Sequence, residues 1–131
     1  MTLNFKTLAV LSAGLCFVLA SIWMFAPKIL LTVWGVPYSE SVDLVARRGA
    51  ALFGAIGTMF FVARNTEVSL ARYGLIVGFS FGCVTLASLG IFELVSGHAG
   101  LGILSAVVVE VAFAVAFIIV GRHDRAYLRK V

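Results

Sequence analysis

Four long apolar stretches, residues 8–25, 42–63, 73–95 and 101–120, are separated by short polar breaks. Their apolar residues neither alternate with a period of two nor confine themselves to one helical stripe, so no water-facing surface is provided for. A helix needs about 20 predominantly apolar residues to cross a hydrocarbon core of about 30 Å. Each stretch meets that length, and each predicts a membrane-spanning helix. The predicted fold is an all-α integral membrane protein: four transmembrane helices in an antiparallel bundle, forming a single domain over residues 1–131.

The breaks refine the picture. Ala26-Pro27-Lys28 ends the first span, and residues 28–34 are apolar but too short to cross. They carry Trp34, a residue type enriched at the membrane interface, and predict a short segment lying at the surface. Gly35-Val36-Pro37 breaks that segment. Ser39 is suited to cap the second span, with Glu40 and Asp43 favourable in its opening turns. Asp43 and Arg47 stand four apart and can pair on one face, while Arg48 enters the apolar region beside Gly49-Ala50-Ala51. Arg64-Asn65-Thr66-Glu67 and Ser96-Gly97-His98-Ala99-Gly100 form the two remaining connections, and residues 122–130 read as a charged, solvated tail.

Composition agrees with the pattern. The chain is 62% hydrophobic and 12% charged, where soluble domains average about 45–50% and about 25%. The net charge of +4 does not signal nucleic acid, because the basic residues flank apolar runs and no nucleic-acid-binding motif accompanies them. Lys6 and Val18-Leu19-Ala20 resemble the ends of a secretory signal, yet apolar sequence continues through Phe25, so a retained helix is expected. Lys6, Arg64, Arg72, Arg122, Arg125, Arg129 and Lys130 fall on one predicted side, against Lys28, Arg47 and Arg48 on the other. The positive-inside rule then puts both termini in the cytoplasm. Cys16 and Cys83 lie within spans and read as small apolar residues.

Two internal patterns bear on packing. Residues 16–25, CFVLASIWMF, and 83–92, CVTLASLGIF, share Cys, Leu, Ala, Ser and Phe at a constant offset, which raises two repeated hairpins. Apolar segments drawn from few residue types also align by chance. Gly74, Gly78 and Gly82 make a small-residue ridge on the third span, extended by Gly90, and Ala50-Gly54-Thr58 makes a weaker one on the second. Such ridges let helix backbones approach closely where water supplies no driving force, so spans 2 and 3 are expected to pack along them. Self-association through Gly74, Gly78 and Gly82 is the alternative.

Glu110, in the middle of the fourth apolar stretch, is the conspicuous chemistry. Insertion scales charge roughly 2.5–3.5 kcal/mol for an aspartate at a helix centre, and a glutamate belongs to the same class. Ala106 and Ala114 flank it one turn away, leaving room for a neighbouring helix. Three roles are open: a buried polar pair with Arg48, in which Glu93 is the other carboxylate within reach; a protonatable carrier residue; or a polar contact to a lipid, small molecule or partner subunit. His98 is a weak surface candidate that could face Glu93. The chain has no nucleophile elbow, HExxH, CxxC or phosphate-cradling loop, and the two histidines fall on opposite predicted sides, so neither a catalytic residue, a metal site nor a cofactor is expected.

Ala26-Pro27, Trp34-Gly35-Val36-Pro37 and Arg47-Arg48-Gly49-Ala50-Ala51-Leu52-Phe53-Gly54, closed by Ala63-Arg64, resemble small uncharacterised four-span bacterial inner-membrane proteins. That resemblance covers the first two spans and implies a location, with no activity attached. The span count is similar to that of small multidrug exporters, but their coupling glutamate is on the first span, which here has no acid. The polar cytosolic-loop signature of membrane glutathione-linked enzymes is not found. The leading expectation is a non-enzymatic accessory subunit or a lipid- or small-molecule-binding protein of the inner membrane, working with the bilayer and with another subunit or a second copy. The alternative is a small proton-coupled transporter using Glu110 as a homodimer. An enzyme built on Glu93 and His98 is a third reading.

Overall fold

The computed structural model describes residues 4–130, which are helical apart from short connections and contain no strand. The helices are α1 (Phe5–Phe25), α2 (Pro27–Trp34), α3 (Glu40–Ala63), α4 (Leu70–Val95) and α5 (Leu104–Leu128), with a 3-10 turn at Leu101–Ile103 before α5. Four helices, α1, α3, α4 and the run Leu101–Leu128, are long and apolar enough to cross a membrane. They support a small multi-pass membrane protein with the expected four-helix architecture.

Local chemistry sets the boundaries. Asn4, Ser39 and Ser69 cap α1, α3 and α4 by accepting from the backbone N–H of Thr7, Val42 and Arg72 at 2.9, 3.2 and 3.3 Å. Ala26 leaves helical geometry, and Pro27 opens α2 at a position where its missing N–H costs nothing. Gly35 stops α2 in the left-handed region at φ 67°, the conformation a glycine adopts without a Cβ clash. Hydroxyls within the long helices bond back to their own turn: Thr58 donates to the Gly54 carbonyl at 2.9 Å and Ser80 to Ile76 at 2.8 Å. Each polar group is thereby satisfied without a partner outside its helix.

The packing divides the molecule into two antiparallel pairs, α1 with α3 and α4 with α5. Consecutive long helices pair, the arrangement that two hairpins produce. The seams are cut by Gly57 and Gly121, outside the ridge pattern, and by Gly90, the ridge's extension, which faces α5. A Cβ at Gly57 would stand 3.1 Å from the Phe17 ring, one at Gly90 2.7 Å from Val107, and one at Gly121 2.8 Å from Ile76. Gly74, Gly78 and Gly82 meet nothing within 4 Å, and Gly54 meets only the Ala20 Cβ at 3.9 Å. The expected seam between the second and third spans is therefore corrected: α3 and α4 do not pack along these small residues and meet instead through the rings of Phe60 and Phe79. The cause is helical drift. Residues spaced by four rotate about 40° per step, so Gly90 turns toward α5 while the earlier glycines do not.

The pairs are joined at both ends. Toward the termini, Phe5, Leu8, Ala9 and Ala13 of α1 bury against Phe60, Ile76, Phe117 and Val120. Phe60, Phe79 and Phe117 form its aromatic centre, with ring centroids 4.8–5.3 Å apart. At the opposite end α2 lies on the 3-10 turn. Gly100 donates its backbone N–H to the Trp34 carbonyl at 2.6 Å, and a Cβ at Gly102 would collide with the Val33 carbonyl. Trp34 also stacks at a tilt on Trp23, 5.4 Å between centroids, tying α2 to the end of α1.

Two further differences concern charge. Helix α5 continues to Leu128, so the stretch expected as a solvated tail is largely helical. Asp124, assigned to that tail, is buried at 3% exposure. Its partner is Arg72 of α4, whose Nη2 donates to Oδ1 at 2.8 Å and whose Nε lies 2.7 Å from Oδ2.

Candidate functional site

A cavity of about 760 Å³ lies between the two helix pairs, between the aromatic core at one end and the α2 platform at the other. Leu15, Cys16 and Leu19 of α1 and Phe53, Ile56 and Met59 of α3 form one wall. Gly74, Gly78, Gly82, Phe79 and Cys83 of α4 and Val109, Glu110 and Phe113 of α5 form the other. Trp23, Leu30 and Trp34 line its α2 end. The glycine ridge thus has a structural result other than packing: Gly74, Gly78 and Gly82 leave α4 without side chains along the cavity. Met59, Gly74 and Gly78 remain exposed, and the cavity opens sideways between α3 and α4.

Glu110 is the one ionisable acid or base on this wall apart from the two cysteine thiols, and neither Lys, Arg nor His lines it. It sits six residues past Leu104, about 9 Å along the helix axis. The residue is half-buried, and no ion pair or side-chain hydrogen bond reaches it among the described residues. Ser105, the nearby hydroxyl on the same wall, is already used, donating to the Gly102 carbonyl at 2.7 Å.

The proposed partners of Glu110 are placed elsewhere. Arg48 is exposed on α3 and forms no ion pair with Glu110 or Glu93, so the expected polar pair is not formed. The physical reason is the pairing of helices: α3 packs on α1, and the cavity separates it from the α4–α5 pair. Arg47 does pair with Asp43 at 3.0 Å, four residues away as its spacing implied. Glu93 faces His98 instead, Oε2 to Nδ1 at 2.9 Å, at the exposed end of α4. That pair closes the helix terminus, where the His98 N–H also donates to the Glu93 carbonyl at 3.0 Å. No group of three His, Cys, Asp or Glu that could hold a metal occurs among the described residues.

Sequence reasoning overlooked Arg72 and Asp124 as partners. A signal was present: Phe117, Val120, Gly121 and Asp124 follow one helical face, and all four are buried. The acid therefore continues the inward stripe of α5 beyond the apolar run. Arg72 also stands over the Phe5 ring at 4.4 Å and donates to the Thr66 carbonyl at 3.1 Å. One guanidinium thus touches α1, the α3–α4 connection and α5.

No family model, curated protein or solved structure matches this chain. The functional reading rests on the cavity and its one carboxyl.

Proposed function

We propose that this protein is a non-enzymatic multi-pass membrane protein that binds a lipophilic small molecule between its two helix pairs. The observation that carries the reading is the cavity of about 760 Å³, largely apolar in its walls and carrying one carboxyl, Glu110. Ligand pockets run from about 300 to 1,000 Å³ and combine apolar walls with a few placed polar groups. The lateral opening suits a solute already dissolved in the bilayer. The excess of Lys and Arg on the termini side supports cytoplasmic termini, and the resemblance of the first two spans supports the bacterial inner membrane. An accessory role alongside another subunit is compatible with this reading.

Gly78 provides the test. A Cβ there meets nothing within 4 Å, and Gly78 lines the cavity, so a bulky side chain introduced by Gly78→Phe should enter the cavity space. Native mass spectrometry of protein released gently from its own membranes should detect a bound small molecule in the wild type and lose it in Gly78→Phe. Equal small-molecule occupancy in both would refute binding in the cavity. A proton-coupled transporter is the second reading, favoured by the unpartnered Glu110 carboxyl. It requires Glu110→Gln to abolish substrate-dependent proton movement in sealed vesicles.

A further inference from the structure

We infer that the ligand class selected by the cavity is a lipophilic amine, held by Glu110 and by the surrounding ring faces. The inference rests on the binding reading above and adds its chemistry. A laterally open apolar cavity in a bilayer fills by default with acyl chains, which match its apolar walls but give nothing to the Glu110 carboxyl. An acyl chain offers a carboxyl no hydrogen bond, and no side chain among the described residues supplies one. Among the lining side chains Glu110 is the only carboxyl, so it is the group through which a cationic ligand gains over lipid.

An amine gives the most. With Glu110 it forms an ammonium–carboxylate pair, whichever of the two groups brings the proton. Charge-assisted hydrogen bonds of this kind are roughly twice as strong as neutral ones. An alcohol supplies only the neutral bond, and a carboxylate ligand meets like charge or competes for the same proton. The rest of the wall agrees. Neither Lys, Arg nor His is present to repel a cation, and Phe79, Phe113, Trp23 and Trp34 present ring surfaces. Phe113 stands three residues from Glu110, on the same face of α5. Cations are attracted to such rings most strongly where water is excluded.

The test uses the full chain in nanodiscs of zwitterionic lipid. Brominated alkyl probes of one chain length would carry a dimethylamine, a hydroxyl or a carboxylate head. Trp23 and Trp34 are the chain's two tryptophans and both line the cavity, so saturable quenching of their fluorescence reports occupancy. The amine should half-saturate at a concentration at least about tenfold below the alcohol, a difference of about 1.4 kcal/mol. Glu110→Gln should bring the amine to the alcohol's value while leaving the alcohol's unchanged, which also shows that the variant is assembled. Phe113→Leu, which keeps the bulk, should weaken the amine selectively and serves if Glu110→Gln does not assemble. Equal affinity for amine and alcohol in the wild type overturns the inference but leaves apolar-ligand binding standing. An amine preference that survives Glu110→Gln overturns it as well. Quenching that never saturates with any probe removes both.

Discussion

Arg72 and Asp124, separated by 52 positions in the sequence, meet as a buried ion pair where α4 begins and α5 nears its end. Their side chains are 15% and 4% exposed, so each charge relies on the other for what water would otherwise supply. Removing one partner of a buried pair strands the other and costs about 3–5 kcal/mol. Asp124→Ala should destabilise the detergent-solubilised protein by about 3 kcal/mol, measured by reversible denaturant unfolding. Arg72→Ala should do the same, and the double variant should cost clearly less than the sum of the two. Additive losses would show that the two residues act separately.

Arg48 provides the contrast. It is exposed and, among the described residues, unpaired with any acid, so Arg48→Ala should change stability by less than about 0.5 kcal/mol in the same assay. Arg47→Ala breaks an exposed pair with Asp43 and should cost about 0.3–0.5 kcal/mol. A loss of several kcal/mol at Arg48 would restore the polar pair that its position in the sequence suggested.

The glycines separate into two groups. At Gly90 the added methyl would press on Val107, a β-branched neighbour with little rotamer freedom, and at Gly121 on Ile76. Gly90→Ala and Gly121→Ala should each destabilise by about 1–3 kcal/mol. Gly74→Ala and Gly78→Ala meet open space in mid-helix and should be neutral or stabilising by up to about 1 kcal/mol. Thermal melts of the four variants in one detergent decide between this division and a continuous ridge used for packing.

Gly102 holds α2 in place through backbone, which cannot swing aside as a side chain can. Gly102→Ala should therefore lift α2 off the 3-10 turn and separate Trp34 from Trp23. The expected signature is altered tryptophan emission with helical circular dichroism retained. Unchanged emission would mean that the Val33 carbonyl moves out of the way without disturbing α2.

The four spans, the break at Pro27, the stop at Gly35 and the Ser39 cap were all legible in the sequence, because each is written locally by hydropathy or by one residue's backbone preference. What was not legible depends on which helix faces which. Helices that are apolar all round carry almost no directional stripe, so the pairing of α1 with α3 and α4 with α5 leaves little trace in the pattern. Glu110 was conspicuous from its residue type alone, but the cavity in front of it arises from a gap between α3 and α4 that no single segment encodes. Arg72 and Asp124 were hidden differently. Both lie outside the apolar runs, where charges are ordinarily solvated, and only the continuation of the buried α5 face past Val120 marks Asp124 as inward.

On the binding reading proposed above, the open flank between α3 and α4 determines the phase from which the cavity is supplied. With the aromatic core at one end and α2 seated on Gly100 and Gly102 at the other, a solute reaches Glu110 by moving sideways through lipid. Occupancy is then governed by mole fraction in the bilayer, and a compound's aqueous dose matters only through its partition coefficient. Two amines of equal intrinsic affinity would rank by how readily they enter the membrane, and diluting the protein with extra lipid would weaken both without altering a single contact.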